Sequence, residues 1–286
     1  TERRPVALGR SSGTTVRKMP NDDSATPPLP DSRGTSTQWA GLHRMKGLLS
    51  PPTLSPAFNV ETSIHKPPRM LRRDIELVFR PDLAAAHTRE AAEGQSLDEY
   101  LAERLIAVPT WQPSKFDLSE MSFVVNEERR GLLLNFHAWV KGVRARLGDW
   151  WSDASDPLEG TALFGARTSC IYNELEGLTS LLRYDSIPIG CCGIVLHPAW
   201  QRRAYPVTFF TSAPLEVLQA AIAGVEAERA AALAAEGGTG RPAPEAAIVP
   251  AAAAAGVMEA KVAAAQAAQA AAAVQAAAAA VEGLQL

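Results

Sequence analysis

Residues 117–151 (DLSEMSFVVNEERRGLLLNFHAWVKGVRARLGDWW) constrain the fold more than any other stretch. Met121, Val125, Leu132, Phe136, Trp139, Val143, Leu147 and Trp150 recur mostly three and four apart, the period of a helix with one apolar face. Its other face carries Glu127, Glu128, Arg129, Arg130, Lys141, Arg144 and Arg146. Each large apolar side chain buried from such a face contributes roughly 1.5–3 kcal/mol, enough for this helix to anchor a core. Asp117 or Ser119 stands where a cap belongs, with Glu120 three residues after Asp117 as in a capping box.

The spacing predicts a second helix over residues 156–182, with Asp156 as its cap and Pro157 in its first turn. Leu163, Phe164, Ile171, Leu175, Leu178, Leu181 and Leu182 form its stripe, and it would return antiparallel to the first as a long helical hairpin. Residues 187–197 (IPIGCCGIVLH) and 205–211 (YPVTFFT) are β-rich and predict an antiparallel pair, joined by the alternating run 74–80 (DIELVFR). Ser96 and Glu99 form a capping box for a short helix stopped by Pro109, and Pro214 opens another helix ended by Gly237 and Gly238. The expected fold class is α+β and predominantly α-helical, a small antiparallel sheet packed on a long helical hairpin.

Around that core the chain divides by composition. Residues 1–73 read as an extended basic Pro-rich arm, 74–236 as the core domain, 237–250 as a Gly/Pro hinge and 251–286 as an Ala-rich helical tail. The arm carries 12 Lys and Arg against 5 Asp and Glu, a net of +7, and the rest carries 16 against 26, a net of −10. A basic arm on an acidic body suggests contact with an acidic surface, whether nucleic acid, anionic lipid or a protein neighbour. The arm also holds spaced apolar residues, among them Trp39, Leu42, Met45 and Phe58, which suit docking along another molecule. A short helix around residues 39–49 fits within it.

No catalytic constellation stands out: G-x-S-x-G, G-x-x-x-x-G-K-[ST], H-E-x-x-H and EF-hand spacings are all missing from the sequence. Three cysteines, Cys170, Cys191 and Cys192, do not make a disulfide framework. A Cys/His metal site joining His137, His197 and the cysteine pair, or a Cys191 or Cys192 thiol with His197 as base, is outweighed by the plain packing of small thiols. The expectation is therefore no catalytic residue, no metal ligand, no cofactor and no enzyme.

Trp200, Arg202, Arg203 and Tyr205 form the best polar-aromatic cluster and serve as candidate partner-binding residues with Trp39, Leu42, Met45 and Phe58. Together these features predict a non-catalytic accessory subunit of a large assembly, binding other protein subunits through arm and tail. The assembly would be a mitochondrial complex of respiratory or ATP-synthase type, with Thr1 left by a trimmed presequence. The alternative is a coat or nucleocapsid-type protein of an RNA virus, its basic arm facing RNA in the virion. No confident membrane span is expected from the sequence.

Overall fold

The computed structural model describes residues 42–189 and 192–237. After a 3-10 turn at Leu42–Arg44 come the strands β1 (Leu48–Ser55) and β2 (Val60–His65), then the helices α1 (Arg69–Glu90) and α2 (Leu97–Arg104). Next are β3 (Ile106–Pro113), α3 (Phe123–Leu147), β4 (Ser152–Ala154) and α4 (Glu174–Leu182). The hairpin β5 (Ser186–Ile189) and β6 (Cys192–Val195) leads to β7 (Ala204–Thr211) and α5 (Leu215–Gly237).

Five strands form one antiparallel sheet in the order β1-β2-β3-β7-β4, and β5-β6 form a second, two-stranded sheet. The central ladder pairs Ile106 through Pro113 with Thr211 through Ala204. Both faces of the sheet are covered. On one, α1, α2 and α4 supply Leu71, Ile75, Phe79, Tyr100, Leu101 and Leu181 against Ala107, Trp111 and Phe210. On the other, α3 and the start of α5 supply Phe136, Trp139, Val143 and Leu218 against Val60, Val108, Val207 and Phe209.

This architecture corrects the expected helical hairpin on a small sheet. Between residues 156 and 173 there is no helix: Asp156 accepts the N–H groups of Leu158 (2.9 Å) and Glu159 (3.3 Å) in a turn, and Gly160 closes it at a φ of +69°. Only α4 remains of that stretch, capped by Asn173, whose side chain accepts from Glu176 N–H.

The run 74–80 is helical, because Leu71, Ile75, Val78 and Leu83 fall on the face of α1 that meets the core. Pro81 lies inside α1 and leaves the Leu77 carbonyl without its helical donor. The Thr168 hydroxyl reaches the Leu77 and Val78 carbonyls (3.3 and 3.1 Å), and Phe79 absorbs the kink.

The short helix expected to run to Val108 and stop at Pro109 ends instead at Arg104, and residues 106–113 form β3 at the centre of the sheet. Strand 187–197 is itself the β5-β6 hairpin, and β7 pairs with β3 and β4 instead of with it.

The Pro-rich segment is also partly folded. Residues 48–65 make the first two strands, with Pro51 and Pro52 on the edge strand where the ladder slips register, a place that tolerates missing donors. Trp39, residues 238–250 and the Ala-rich tail lie outside the described residues. The capping box of Ser96 and Glu99 is present, and the cap of α3 is Ser122, while Asp117 binds Ser119 N–H (2.8 Å) in a turn of its own. The described residues up to Glu226 form one compact unit; of the second, Ala227–Leu286, only the end of α5 is described.

Three predictions test this packing. Phe209→Ala should cost about 3–5 kcal/mol in urea unfolding, whereas Leu134→Ala, on the solvent side of α3, should cost about 0.5 kcal/mol or less. A Cβ at Gly177 would collide with the Tyr172 hydroxyl. Gly177→Ala should therefore lose about 1–3 kcal/mol, and Tyr172→Phe in the same chain should recover only part of it, since the ring carbon Cζ still lies 2.5 Å from the new Cβ.

The third concerns Glu174, whose carboxylate accepts hydroxyls from Ser155 (2.7 Å) and Thr208. Burial holds its carboxyl above the ordinary 4.5, partly opposed by those hydroxyls. A raised folded value means that its contribution is full below 4.5 and is lost as pH rises through the folded value. From about pH 4 to about pH 7, Glu174→Gln should lose less stability than the native chain; parallel curves would refute this.

Candidate functional site: the His197 turn

β6 ends at Val195, and two residues later His197 is fully buried against the sheet. Its Nε2 lies 3.1 Å from Glu61 Oε1 on β2. Its Nδ1 accepts the backbone N–H groups of Ala199 and Trp200, both at 3.3 Å. With Nδ1 accepting, the proton sits on Nε2 and is donated to Glu61. The imidazole thus does two jobs: it ties the turn of residues 198–203 to itself and ties that turn to the sheet.

Aromatic rings enclose this pair. Trp200 stacks on His197 with centroids 4.1 Å apart and planes at 15°. Trp111 of β3 lies 5.2 Å from it and Tyr184 5.8 Å, edge-on. The indole N–H groups of Trp111 and Trp200 and the hydroxyl of Tyr184 are buried with no partner among the described residues. Burial first, then the Glu61 carboxylate, pushes the Tyr184 phenol well above its usual range. What holds the geometry is the set of bonds that His197 itself makes, since loosening it would strand the buried Glu61 carboxylate.

The turn also clasps the segment leading to α3. Arg202 pairs with Asp117 at 3.1 Å, and Arg203 donates to the Lys115 carbonyl at 2.6 Å. Backbone bonds from Ser114 to Arg203 (2.8 Å) and from Leu118 to Arg202 (3.0 Å) complete the clasp.

Of the sequence candidates, the structure gathers Trp200, Arg202 and Arg203 here. Tyr205 leaves for the opposite face of the sheet, where it is buried. Met45 and Phe58 are core residues, one in each layer, so neither is a free docking anchor. Leu42 lies in the 3-10 turn, and Trp39 is outside the described residues. His137, on α3, is separated from His197 by the sheet, its ring 6.5 Å from that of Phe164.

Cys191 lies outside the described residues, and the backbone of Cys192 opens β6. Among the described residues no cluster of three or more His, Cys, Asp or Glu side chains is placed to hold a metal ion. Two surface depressions, of about 660 Å³ beside Glu93, Gln95 and Glu99 and about 450 Å³ beside Arg146 and Val217, are shallow and open.

Glu61 is the residue that sequence reasoning missed. The signal lay in VETSIH, where Glu61, Ser63 and His65 stand at every second position and so share one face of a strand. Proline content upstream hid it.

The family model described as "Methylmalonic aciduria and homocystinuria type D protein" matches residues 49–222. That stretch includes β2 through β7, most of β1 and the first turns of α5. The rat protein named "Cobalamin trafficking protein CblD" is 28% identical over 156 residues, 54% of this chain and 47% of the relative. The chicken protein of the same name is 27% identical, and the human one 28%, over the same length. The chain thus spans about half the length of these relatives.

These matches overturn both readings drawn from the arm and tail, the accessory subunit of a respiratory or ATP-synthase complex and the viral coat protein. Those readings treated the Pro-rich segment and the missing motifs as signs of a scaffold, when residues 48–55 and 60–65 of that segment are strands of the sheet. More than half of its length matches the model, and the chain belongs to the family described as methylmalonic aciduria and homocystinuria type D protein.

Proposed function

We propose that this chain takes part in cobalamin trafficking, as a protein that receives or presents cobalamin together with a partner and does not itself turn over a substrate. The observation that carries this reading is the family match over residues 49–222, which coincides with the folded unit around the five-stranded sheet. The relatives named for cobalamin trafficking align with 156 residues of this chain. The open, shallow depressions of the described surface suit a cargo met at the surface and shared with another protein better than one enclosed by this chain alone. The His197 turn is the best-organised element for that contact: a buried Glu–His pair fixes it, and its outer residues Trp200 and Arg202 are of the types that anchor interfaces.

The test is complementation. In cells from which the resident CblD protein has been removed, expression of this chain should lower both methylmalonate and homocysteine in the medium. Unchanged levels of both, with the chain present and folded, would contradict the proposal. His197→Ala should reduce the rescue. Trp200→Leu, which removes the stack and leaves the Glu61 bond, should reduce it as well while keeping the native thermal midpoint within a few degrees. Full rescue by both variants would remove the turn from the function.

A further inference from the structure

The basic excess that the sequence places before residue 73 is partly gathered by the fold onto one face. Lys66 N–H donates to the Gly47 carbonyl at 2.7 Å, which sets Lys46 beside Lys66. Three residues on, α1 begins with Arg69, Arg72 and Arg73, with no acid in its first turn and no side chain capping it. The positive end of the helix dipole therefore adds to the arginines instead of opposing them. The Lys66 ammonium donates to the Glu103 carbonyl, which brings Arg104 to the same place.

The crowding is felt. The Lys66 ammonium is held below its usual range by burial first, with Arg104 and Arg72 repelling it against the pull of Glu103. Arg72 donates to the Pro67 carbonyl at 3.2 Å, yet its Nε is buried with no acceptor among the described residues. Three carboxylates stand near these six cations: Glu103, 3.4 Å from Arg104, Asp74, exposed on α1, and Glu76, a turn after Arg72 and Arg73 and engaged by Arg80 at 3.1 Å. The same face of α1 exposes Met70, at 73%, and Leu77, at 36%, seven residues apart and flanking Arg73.

Like charges held this close to two exposed apolar side chains raise the energy of the free surface and favour a ligand that brings both carboxylates and apolar groups. We propose that this face docks an acidic segment of a partner protein, its carboxylates over the six cations and its apolar side chains over Met70 and Leu77. Arginine, four of the six, matches carboxylate geometry through its planar fork. Two apolar side chains are too few for insertion into a lipid surface, and the described part of this face exposes no aromatic ring on which a base could stack. Residues 1–41 do not fit the role, since they carry 6 Lys and Arg against 4 Asp and Glu, a net of +2. The proposal does not depend on the cobalamin reading.

The test uses the full chain and a fluorescein-labelled peptide of glutamate and aspartate interrupted by leucine, followed by anisotropy. Binding should be saturable and weaken about tenfold or more from low to high salt. Arg69→Glu with Arg73→Glu should weaken it about tenfold or more. Arg130→Glu with Lys141→Glu, the same change in net charge on α3, should leave it within about twofold. Met70→Ser should weaken it by a smaller factor.

Equal binding by the Arg69/Arg73 variant at an unchanged thermal midpoint would overturn the proposal. So would tighter binding of phosphatidylserine vesicles or of polyuridylate than of the peptide through the same arginines, which would assign the face to a membrane or to RNA.

Discussion

A sheet covered by helices on both sides leaves no water for the polar groups within it, and that constraint governs the rest of this structure. An unpaired buried polar group costs about 1–3 kcal/mol, so most are paired inside, the Trp111 indole N–H being an exception among the described residues. Thr110 donates to the Val207 carbonyl (2.6 Å), Gln112 to Leu132 (2.9 Å), and Asn135 to the Phe58 carbonyl and the Gln112 side chain (both 2.7 Å). Glu90 accepts Tyr100 and Ser212 (both 2.6 Å) and the Trp151 N–H (3.2 Å). Each bond joins different elements, so satisfaction of polar atoms also fixes how the layers sit on the sheet.

The Glu61–His197 pair is the same constraint at its most demanding. A carboxylate on a buried strand has to be answered, and the answering imidazole comes from the far end of the β5-β6 hairpin. The hairpin is thereby held to the sheet although it belongs to a separate two-stranded ladder. Because the same imidazole organises residues 198–203, which in turn hold residues 114–118, one buried contact sets the geometry of a broad stretch of surface. The function proposed above draws on this rigidity.

How much of this was legible follows from the same physics. The stripe of α3 was readable because a helix on one face of a sheet keeps its period, and Val125, Phe136, Trp139, Val143 and Leu147 are all buried. Met121 fails the pattern: it precedes the helix and is 87% exposed. The central strand β3 was hard to read because both of its faces are buried, which erases the alternation of apolar and polar residues. Pro109 in β3 resembled a helix stop, yet it pairs opposite Thr208, and the register with β2 runs from Thr110 to Ala107 across it. The loop at 156–173 looked helical because Leu163 and Phe164 do pack on the core, although Leu158 is exposed. What holds it is Asp153, accepting from Phe164 (3.0 Å) and Gly165 (2.8 Å), and Asp82, accepting from Ala166 (2.8 Å), contacts that no local pattern announces. Of the site, the turn with Trp200, Arg202 and Arg203 was visible; its partner Glu61, 136 residues away, was not.

Native-state hydrogen exchange of the full chain tests the central claim, that residues 60–65 are an inner strand of a two-faced sheet, most directly. The amides of residues 60–65 should exchange only with global unfolding, alongside those of Val108 and Thr110 in the central strand. Exchange of residues 60–65 at the rate of an unprotected peptide, while Val108 stays protected, would show an arm beside a core and contradict the account.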